Sequence, residues 1–348
     1  MVLKYNSNQM HNFTEFKAFL STPRHIFITT HFKPDADALG SALGWAGYLK
    51  ACGHHVNVVV PSDYPRFLNW MSGNENVIIL SDKTKKHIEN LLNEAELVCC
   101  LDFSGMGRIN NLADLIIKAD KPILLVDHHI EPTIKPLFDF WDVRAAATAE
   151  LIFKLILLLD GKDKITKNIG EAIYAGIMTD TASFKHPCTT KYVHEVAGQL
   201  IDLGVNTSKV NHLVYDDSTE EKLRFLGYML SKKLVVLPEF RTAYFTVSDA
   251  ELKQFHSQTG DTEGIVNYAL SIEGIVFAAI IIDRGDTVKM SFRSVGDFPA
   301  NLFSKNHFNG GGHKNAAGGH SFDSFDKTLK KFLEILPAYQ KELEETVF

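Results

Sequence analysis

Four apolar runs in this chain each stop at an acid or a histidine, and that repetition constrains the fold more than any other feature. His25-Ile-Phe-Ile-Thr-Thr30 leads into His31, Asp35 and Asp37, and Leu97-Val-Cys-Cys-Leu101 leads into Asp102. Ile123-Leu-Leu-Val126 leads into Asp127-His128-His129, and Ala172-Ile-Tyr-Ala-Gly-Ile-Met178 passes through Thr179 into Asp180. Short apolar runs bounded by turn residues read as buried strands, and helical patterns lie between them. Such alternation predicts an α/β chain with a doubly wound parallel sheet. With the runs as neighbouring parallel strands, their acidic ends share one crevice, the place where open α/β sheets bind ligands.

Each of these residues has a plain reading on its own. An acid just past a strand commonly caps a helix, and a lone histidine commonly sits in a core or on a surface. Their joint occurrence is different. His31, Asp35, Asp37, Asp102, His128 and Asp180 offer oxygen and nitrogen donors suited to hard or borderline divalent cations. That is more than one tetrahedral site uses, and it suits two cations roughly 3.5–4 Å apart that share a carboxylate. His128 and His129 are adjacent, so their side chains diverge on a strand and their roles must differ.

The chain has 348 residues, enough for two domains with separate cores. Its formal net charge is −6 and it has no long basic arm, which argues against gripping long duplexes by counterion release and favours small anionic substrates. The first residues, MVLKYNSNQMHNF, are polar and carry no apolar signal core. No stretch approaches the roughly 18 apolar residues of a membrane span. Leu151–Leu159 is interrupted by Lys154 and reads as a buried helix. Cys99 and Cys100 are adjacent on a predicted strand and lack any metal-ligand spacing, so reduced core thiols and a cytoplasmic protein are expected.

The remaining elements follow in order. A short helix is expected over 9–21, strands over 56–60 and 77–80, a polar helix over 82–93, and a long helix from Ala145 to Leu159 in which Thr148 reads as a cap. Arg108 follows a flexible turn, where its guanidinium suits a substrate phosphate. Helical patterns cover 194–203 and 220–230, and the alternation then changes. Strands over 234–237, 242–247, 276–283 and 288–293, with helices near 249–256, 263–270, 299–307 and 325–336, indicate a smaller mixed-sheet α+β domain. The expected division is residues 1–225 and 226–348. Gly310 to Gly319 reads as a glycine-rich turn whose backbone N–H groups approach an anion closely, with His313 as an added donor.

The blocks HFKPDADALGS, LDFSGMGRI, DHH at 127–129, GIMTDTASF and GGGHKNAAGG occur in this order over nearly the whole chain. Together they resemble the DHH phosphoesterase superfamily, in particular its small branch with a DHH-associated C-terminal domain, the oligoribonuclease and 3′-phosphoadenosine 5′-phosphate phosphatase family. The resemblance implies hydrolysis of a phosphoester by a water or hydroxide bridging two divalent ions, Mn(II) first and Mg(II) second. It implies that His31, Asp35 and Asp102 hold one ion, and that Asp37, Asp102, His128 and Asp180 hold the other, with Asp102 bridging. His129 would act at the scissile phosphate and Asp127 would support it. Arg293 and Ser294 would hold a substrate phosphate beside Gly311, Gly312 and His313, making the cleft between the domains the active site. Short oligoribonucleotides, linear dinucleotides or adenosine bisphosphate are the implied substrates, with no membrane or stable protein partner. The oligomeric state is left open, a homodimer included.

Two positions depart from the family pattern. Ala182 stands where relatives commonly have glycine, which suggests that a positive φ is not needed there, and Asn309 stands where many extend the glycine run. The rival readings are a manganese pyrophosphatase, a long single-strand exonuclease, and a non-catalytic nucleotide-binding protein.

Overall fold

The computed structural model describes residue 10 and residues 12–347, and these divide into two units at Asp217 and Ser218. The reading of residues 1–9 as lacking a signal core, and residue 9 as a helix start, lie outside the described residues.

In the first unit the chain runs α1 (Phe13–Phe19), β1 (His25–Thr29), α2 (Ala36–Ala51), β2 (His55–Val60), β3 (Ile78–Ile79), α3 (Lys85–Glu94) and β4 (Leu97–Leu101). It continues through α4 (Leu112–Ala119), β5 (Ile123–Asp127), β6 (Phe138–Trp141), α5 (Thr148–Leu158), α6 (Lys167–Asp180), α7 (Lys191–Asp202) and α8 (Thr207–Asn211). The six strands are parallel in the order β3-β2-β1-β4-β5-β6. The strand order therefore reverses between β1 and β4, and the crevice beyond their carboxyl ends is the switch point of the sheet. Apolar side chains alternate between two cores. Ile26, Ile28, Cys99 and Leu101 face α2, α5 and α6, while Phe27, Val98 and Cys100 face α3 and α4. The neighbouring cysteines thus separate into different cores, both as free thiols.

The expected strand over 172–178 is instead part of α6. Every residue from Ile169 to Met178 is buried, Glu171 included through its ion pair with Lys209 at 2.6 Å, so the helix is buried on all sides and shows no 3.6-residue period in its sequence. The signal that separates it from a strand is its cap, Thr166, whose hydroxyl accepts the Ile169 N–H at 3.4 Å. Asp180 consequently ends a helix rather than a strand. The helix lies very close to α2: a Cβ on Gly40 would stand 2.4 Å from the Ala172 carbonyl oxygen. Edge strand β6 went unread because its four residues follow a proline-containing loop.

The second unit contains α9 (Glu220–Tyr228), β7 (Leu234–Leu237), β8 (Thr242–Val247), α10 (Asp249–Gln254), α11 (Ile265–Leu270), β9 (Phe277–Asp283) and β10 (Val288–Ser294). It closes with α12 (Ala300–His307), β11 (Gly311–His313), β12 (Ala316–Ser321), α13 (Phe325–Ile335) and α14 (Gln340–Glu345). The sheet order is β11-β12-β10-β9-β8-β7, with β8 and β9 parallel and the other pairs antiparallel. One face carries a phenylalanine core of Phe277, Phe292, Phe303 and Phe332, and the other packs Ala278 and Ile280 under α10 and α11. The glycine run is not a loop: Gly311–His313 and Ala316–Ser321 form a hairpin added to β10. Glycine and alanine have low strand propensity, so sequence pattern hides a hairpin whose flatness comes from lacking side chains.

Candidate metal centre

Asp102 stands just past β4 with φ of 66°, a left-handed turn that aspartate tolerates better than most residues. The turn aims its two oxygens in different directions. Oδ2 lies 3.4 Å from His31 Nε2, and Oδ1 lies 3.5 Å from His128 Nε2. Asp35 Oδ2 is 3.8 Å from His31 Nε2, while Asp37 Oδ2 and Asp180 Oδ2 are 3.8 and 3.3 Å from His128 Nε2. Two groups hold these side chains, His31 with Asp35 and Asp102, and Asp37 with His128 and Asp180, and a further one joins Asp102 with Asp127 and His129, the donor atoms within each lying within 4.8 Å of one another. Asp102 touches both groups.

The backbone decides how the two imidazoles present themselves. His31 Nδ1 is 3.0 Å from the Phe32 carbonyl and His128 Nδ1 is 3.1 Å from the Ala145 carbonyl. A carbonyl only accepts, so each Nδ1 carries a hydrogen, and Nε2, whose lone pair is free when the ring is neutral, faces carboxylate oxygens. Lone pairs facing lone pairs repel unless a cation or an added proton lies between them. Among the described residues, no lysine or arginine forms an ion pair with buried Asp37 or Asp102. This donor set fits divalent cations, with the carbonyls fixing ring orientation as in metal sites generally.

The helices hold the cluster from behind. Asp35 caps α2, its Oδ1 accepting the N–H groups of Asp37 and Ala38 at 3.0 Å each, which leaves Oδ2 toward His31. Asp37 accepts the first two N–H groups of α5, Thr148 to Oδ2 at 2.6 Å and Ala149 to Oδ1 at 2.8 Å. Thr148 is therefore not a cap, as its sequence position suggests. Its hydroxyl donates to Asp102 Oδ1 at 2.9 Å. Sequence reasoning missed this role of Thr148 and the α5 terminus, because it depends on a contact 111 residues away.

Electrostatics follow from crowding. Burial pushes the Asp37 carboxyl well up, reinforced by Asp102 and Asp35, and burial does the same to Asp180 with Asp37 adding to it. Burial disfavours charge on His31, but bonds to Asp102 and Asp35 outweigh it and raise the imidazole to about 10. Burial also opposes ionisation of Asp102, yet His31 and the other imidazoles hold its carboxyl well below the usual range. His128 is pushed down by burial. His129 takes the opposite course: against burial, its Nδ1 bond to Asp127 Oδ1 at 2.8 Å raises it.

Asp127 is fully buried, so it orients His129 from below, while Trp141 Nε1 donates to the His129 carbonyl at 2.7 Å. Arg108 is exposed on the rim, where its carbonyl accepts the Phe32 N–H at 2.7 Å and its charge is felt at His129. Ala182 has φ of 48°, which corrects the expectation that this position avoids positive values; the tight reversal after α6 forces it. In the second unit, Arg293, Ala316 and His313 lie in one row across β10, β12 and β11. Residues directly opposite share a face, so Arg293 and His313 flank a small alanine. The next row is Ser291, Gly318 and Gly311, and a Cβ on Gly311 would meet nothing within 4 Å, so this face is an open trough. Gly312 has φ of 138° and lies on the opposite side of the strand. Ser294 is buried: its hydroxyl donates to the Phe298 carbonyl at 2.7 Å and accepts from Asn315 Nδ2 at 2.9 Å, bracing the hairpin.

Residues 25–177 match the DHH family, N-terminal domain, and residues 243–342 match the DHHA1 domain. The bifunctional oligoribonuclease and PAP phosphatase NrnA of Thermus thermophilus is 32% identical over 321 residues, covering 92% of this chain and 88% of the relative. The protein of the same description from Bacillus subtilis is 27% identical over 323 residues, covering 91% of this chain and 96% of the relative. Among solved structures, an exopolyphosphatase-related protein from Bacteroides fragilis superposes with a TM-score of 0.91 at 32% identity, covering 99% of this chain and 100% of that one.

Proposed function

Since this chain belongs to the DHH phosphoesterases, and within them to the NrnA family, we propose that it hydrolyses short oligoribonucleotides and 3′-phosphoadenosine 5′-phosphate with two divalent cations, manganese first. The observation that carries this reading is Asp102, whose two oxygens face the Nε2 atoms of His31 and His128 at 3.4 and 3.5 Å. A carboxylate so placed suits a bridging ligand. His31 and Asp35 would complete one site, and Asp37, His128 and Asp180 the other. When bound, such a pair of cations supplies water activation near neutral pH and neutralises charge on the reacting phosphate.

The chain's own groups do the rest. The α5 N–H groups and the Thr148 hydroxyl hold Asp37 and Asp102 in place, so the carboxylates need no rearrangement as charge develops. Asp127 accepts the Nδ1 hydrogen of His129 and so orients the ring, whose Nε2 side would stabilise or protonate the leaving oxygen. Arg108 would meet a non-reacting phosphate. In the second unit, Arg293 and His313 across the Gly311–Gly318 trough would hold a nucleotide end, with Gly312 shaping the strand and Ser294 bracing it. Among the described residues no helix is long and apolar enough to cross a membrane, and with the free thiols a cytoplasmic setting is part of the same reading.

The test is a Mn²⁺-supplemented hydrolysis assay on an RNA dinucleotide, a long single strand, 3′-phosphoadenosine 5′-phosphate and pyrophosphate, with Asp102→Ala as control. Turnover of the dinucleotide and the bisphosphate, lost in the variant, is expected. Turnover of pyrophosphate or the long strand alone would overturn the substrate class, and no turnover of any of them would overturn the enzymatic reading.

A further inference from the structure

Each imidazole of the cluster is backed by one peptide group, and the two peptides are not backed alike. His128 Nδ1 donates to the Ala145 carbonyl at 3.1 Å, and the N–H of that same peptide, carried by Ala146, donates to Glu150 Oε2 at 2.7 Å. His31 Nδ1 donates to the Phe32 carbonyl at 3.0 Å, and the N–H of that peptide, carried by Lys33, donates to the Ser62 hydroxyl at 2.7 Å. A carboxylate thus stands behind His128 where a neutral hydroxyl stands behind His31. Both acceptors are buried, Glu150 at 6% exposure and Ser62 at 7%.

Helix capping does not account for Glu150. It is the third residue of α5, and in a capping box a glutamate at that place takes the N–H of the cap residue. The cap residue here is Ala147, which has no side chain to reciprocate, and the Thr148 and Ala149 N–H groups go to Asp37. Glu150 reaches one residue further back, to the peptide that holds His128. The loop has braces of its own, the Asp142 N–H on the Asp127 carbonyl at 3.2 Å and the Ala145 N–H on the Asp142 carbonyl at 3.0 Å. Burial raises the Glu150 carboxyl, and the Ala146 N–H and Lys154 draw it back.

A peptide bond is conjugated, so an anionic acceptor on its N–H shifts electron density to its carbonyl oxygen. A richer carbonyl takes the Nδ1 hydrogen more strongly and leaves more density on Nε2, the atom that faces Asp37, Asp102 and Asp180. The Ser62 hydroxyl, which itself donates to the Asp63 carbonyl at 3.1 Å, is neutral and exerts a weaker pull. We propose that Glu150 is a positioning residue acting on His128 through the Ala145–Ala146 peptide, and that it makes the group of Asp37, His128 and Asp180 the tighter of two cation sites. The inference rests on the two-cation reading above and deepens it by giving the sites unequal affinity.

The test is calorimetric titration of the metal-free protein with Mn²⁺, beside nitrogen NMR spectra of its labelled histidine rings. Two binding steps of unequal affinity are expected. Glu150→Gln keeps the size of the side chain and an acceptor oxygen but removes the charge. It weakens the tighter step roughly ten- to a hundredfold, the usual cost of losing a partner behind a metal ligand, and leaves the other within about threefold. In the metal-free protein it moves the Nδ1 resonance of His128 and not that of His31, at an unchanged melting temperature. Ser62→Ala does the reverse, moving the His31 resonance and the weaker step. Should Glu150→Gln fail to fold, Glu150→Asp, which draws the charge back from the N–H, replaces it with the same expectations. Two steps of equal affinity in the natural sequence overturn the proposal, as do an unchanged Mn²⁺ affinity and His128 resonance in the variant. Equal weakening of both steps with a lower melting temperature of the metal-free protein also overturns it, because Glu150 would then only brace the loop. A natural sequence that binds no Mn²⁺ would overturn the two-cation reading, and the ring spectra would still decide whether Glu150 acts on His128.

Discussion

Gly176 on α6 leaves only the room that Asp37 on α2 occupies: a Cβ there would stand 2.8 Å from Asp37 Oδ1 and 3.1 Å from the Asp37 Cα, with the Ala149 Cβ at 2.7 Å. The carboxylate, the end of α5 and the bare backbone of α6 fill one small volume. Gly176→Ala must push α6 away or displace Asp37. Overpacking of this kind costs about 1–3 kcal/mol, and a shift of a catalytic group by about 1 Å can cost a hundredfold in rate. The variant is expected to melt several degrees lower and to lose at least tenfold in kcat/KM, read by calorimetry and steady-state kinetics. An unchanged melting temperature would mean that α6 yields without cost.

Cation binding should be visible without any substrate. Asp37, Asp102 and Asp180 crowd around His128, and burial penalises their ionised forms. A cation that relieves this crowding stabilises the fold by mass action, about 2.7 kcal/mol at a hundredfold excess over its dissociation constant. Chelator treatment is expected to lower the melting temperature and Mn²⁺ to restore it, whereas Asp102→Asn should lose most of the Mn²⁺ shift. A chelator-insensitive melting curve would contradict the site.

The Asp127–His129 pair separates catalysis from metal binding. Asp127 sits under His129, with its Oδ1 2.8 Å from Nδ1; its donor group is the one with Asp102 and His129, not those of His31 or of Asp37 and Asp180. An amide at 127 can present its NH₂ to Nδ1 and select the other tautomer. Asp127→Asn is expected to lower kcat by about 10²–10⁴, the usual worth of a positioned acid or base, with the bound metal content unchanged. Metal analysis of the purified variant checks the second half; loss of metal would move Asp127 into the ligand set.

The acidic limb of stability should report on the second unit. Burial alone would raise Glu251, but the Ser248 N–H, the Tyr228 hydroxyl and Lys233 outweigh it and hold the carboxyl at about 2, against an ordinary value of 4.5. A carboxylate depressed in the folded state adds stability that is present above its unfolded value and lost as pH falls through the folded one. The loss should therefore run from about pH 4.5 down to about pH 2. Glu251 is partly exposed, so solvent screening keeps the contribution small. In Glu251→Gln, the stability of the second unit is expected to vary less over that window in denaturant titrations at stepped pH.

Much of this arrangement was legible in the chain, for a physical reason. Parallel strands are buried on both faces, so they appear as unbroken apolar runs, and chemistry placed at their ends stands out against them. His31, Asp102 and Asp127-His128-His129 were readable in this way. Asp180 was read at the end of the wrong element, because a helix buried on all sides is as featureless as a strand. The supporting contacts were not legible. Thr148 looks like a cap until α5 is docked on Asp37, and Ala182 looks incompatible with positive φ until the chain must turn back from α6. The β11–β12 hairpin was hidden because its strands are nearly without side chains.

The left-handed backbone of Asp102 has a consequence for how such a gene can decay. At φ of 66° most residues are strained, and glycine, asparagine and aspartate are the least so. Of these only aspartate carries the two anionic oxygens that the cluster requires. A duplicated copy freed from catalytic selection would thus pass most easily to asparagine or glycine here, keeping its architecture while losing its chemistry. Residue 102 then serves as a diagnostic letter: a homologous chain with asparagine or glycine at this turn is expected to be a folded pseudoenzyme.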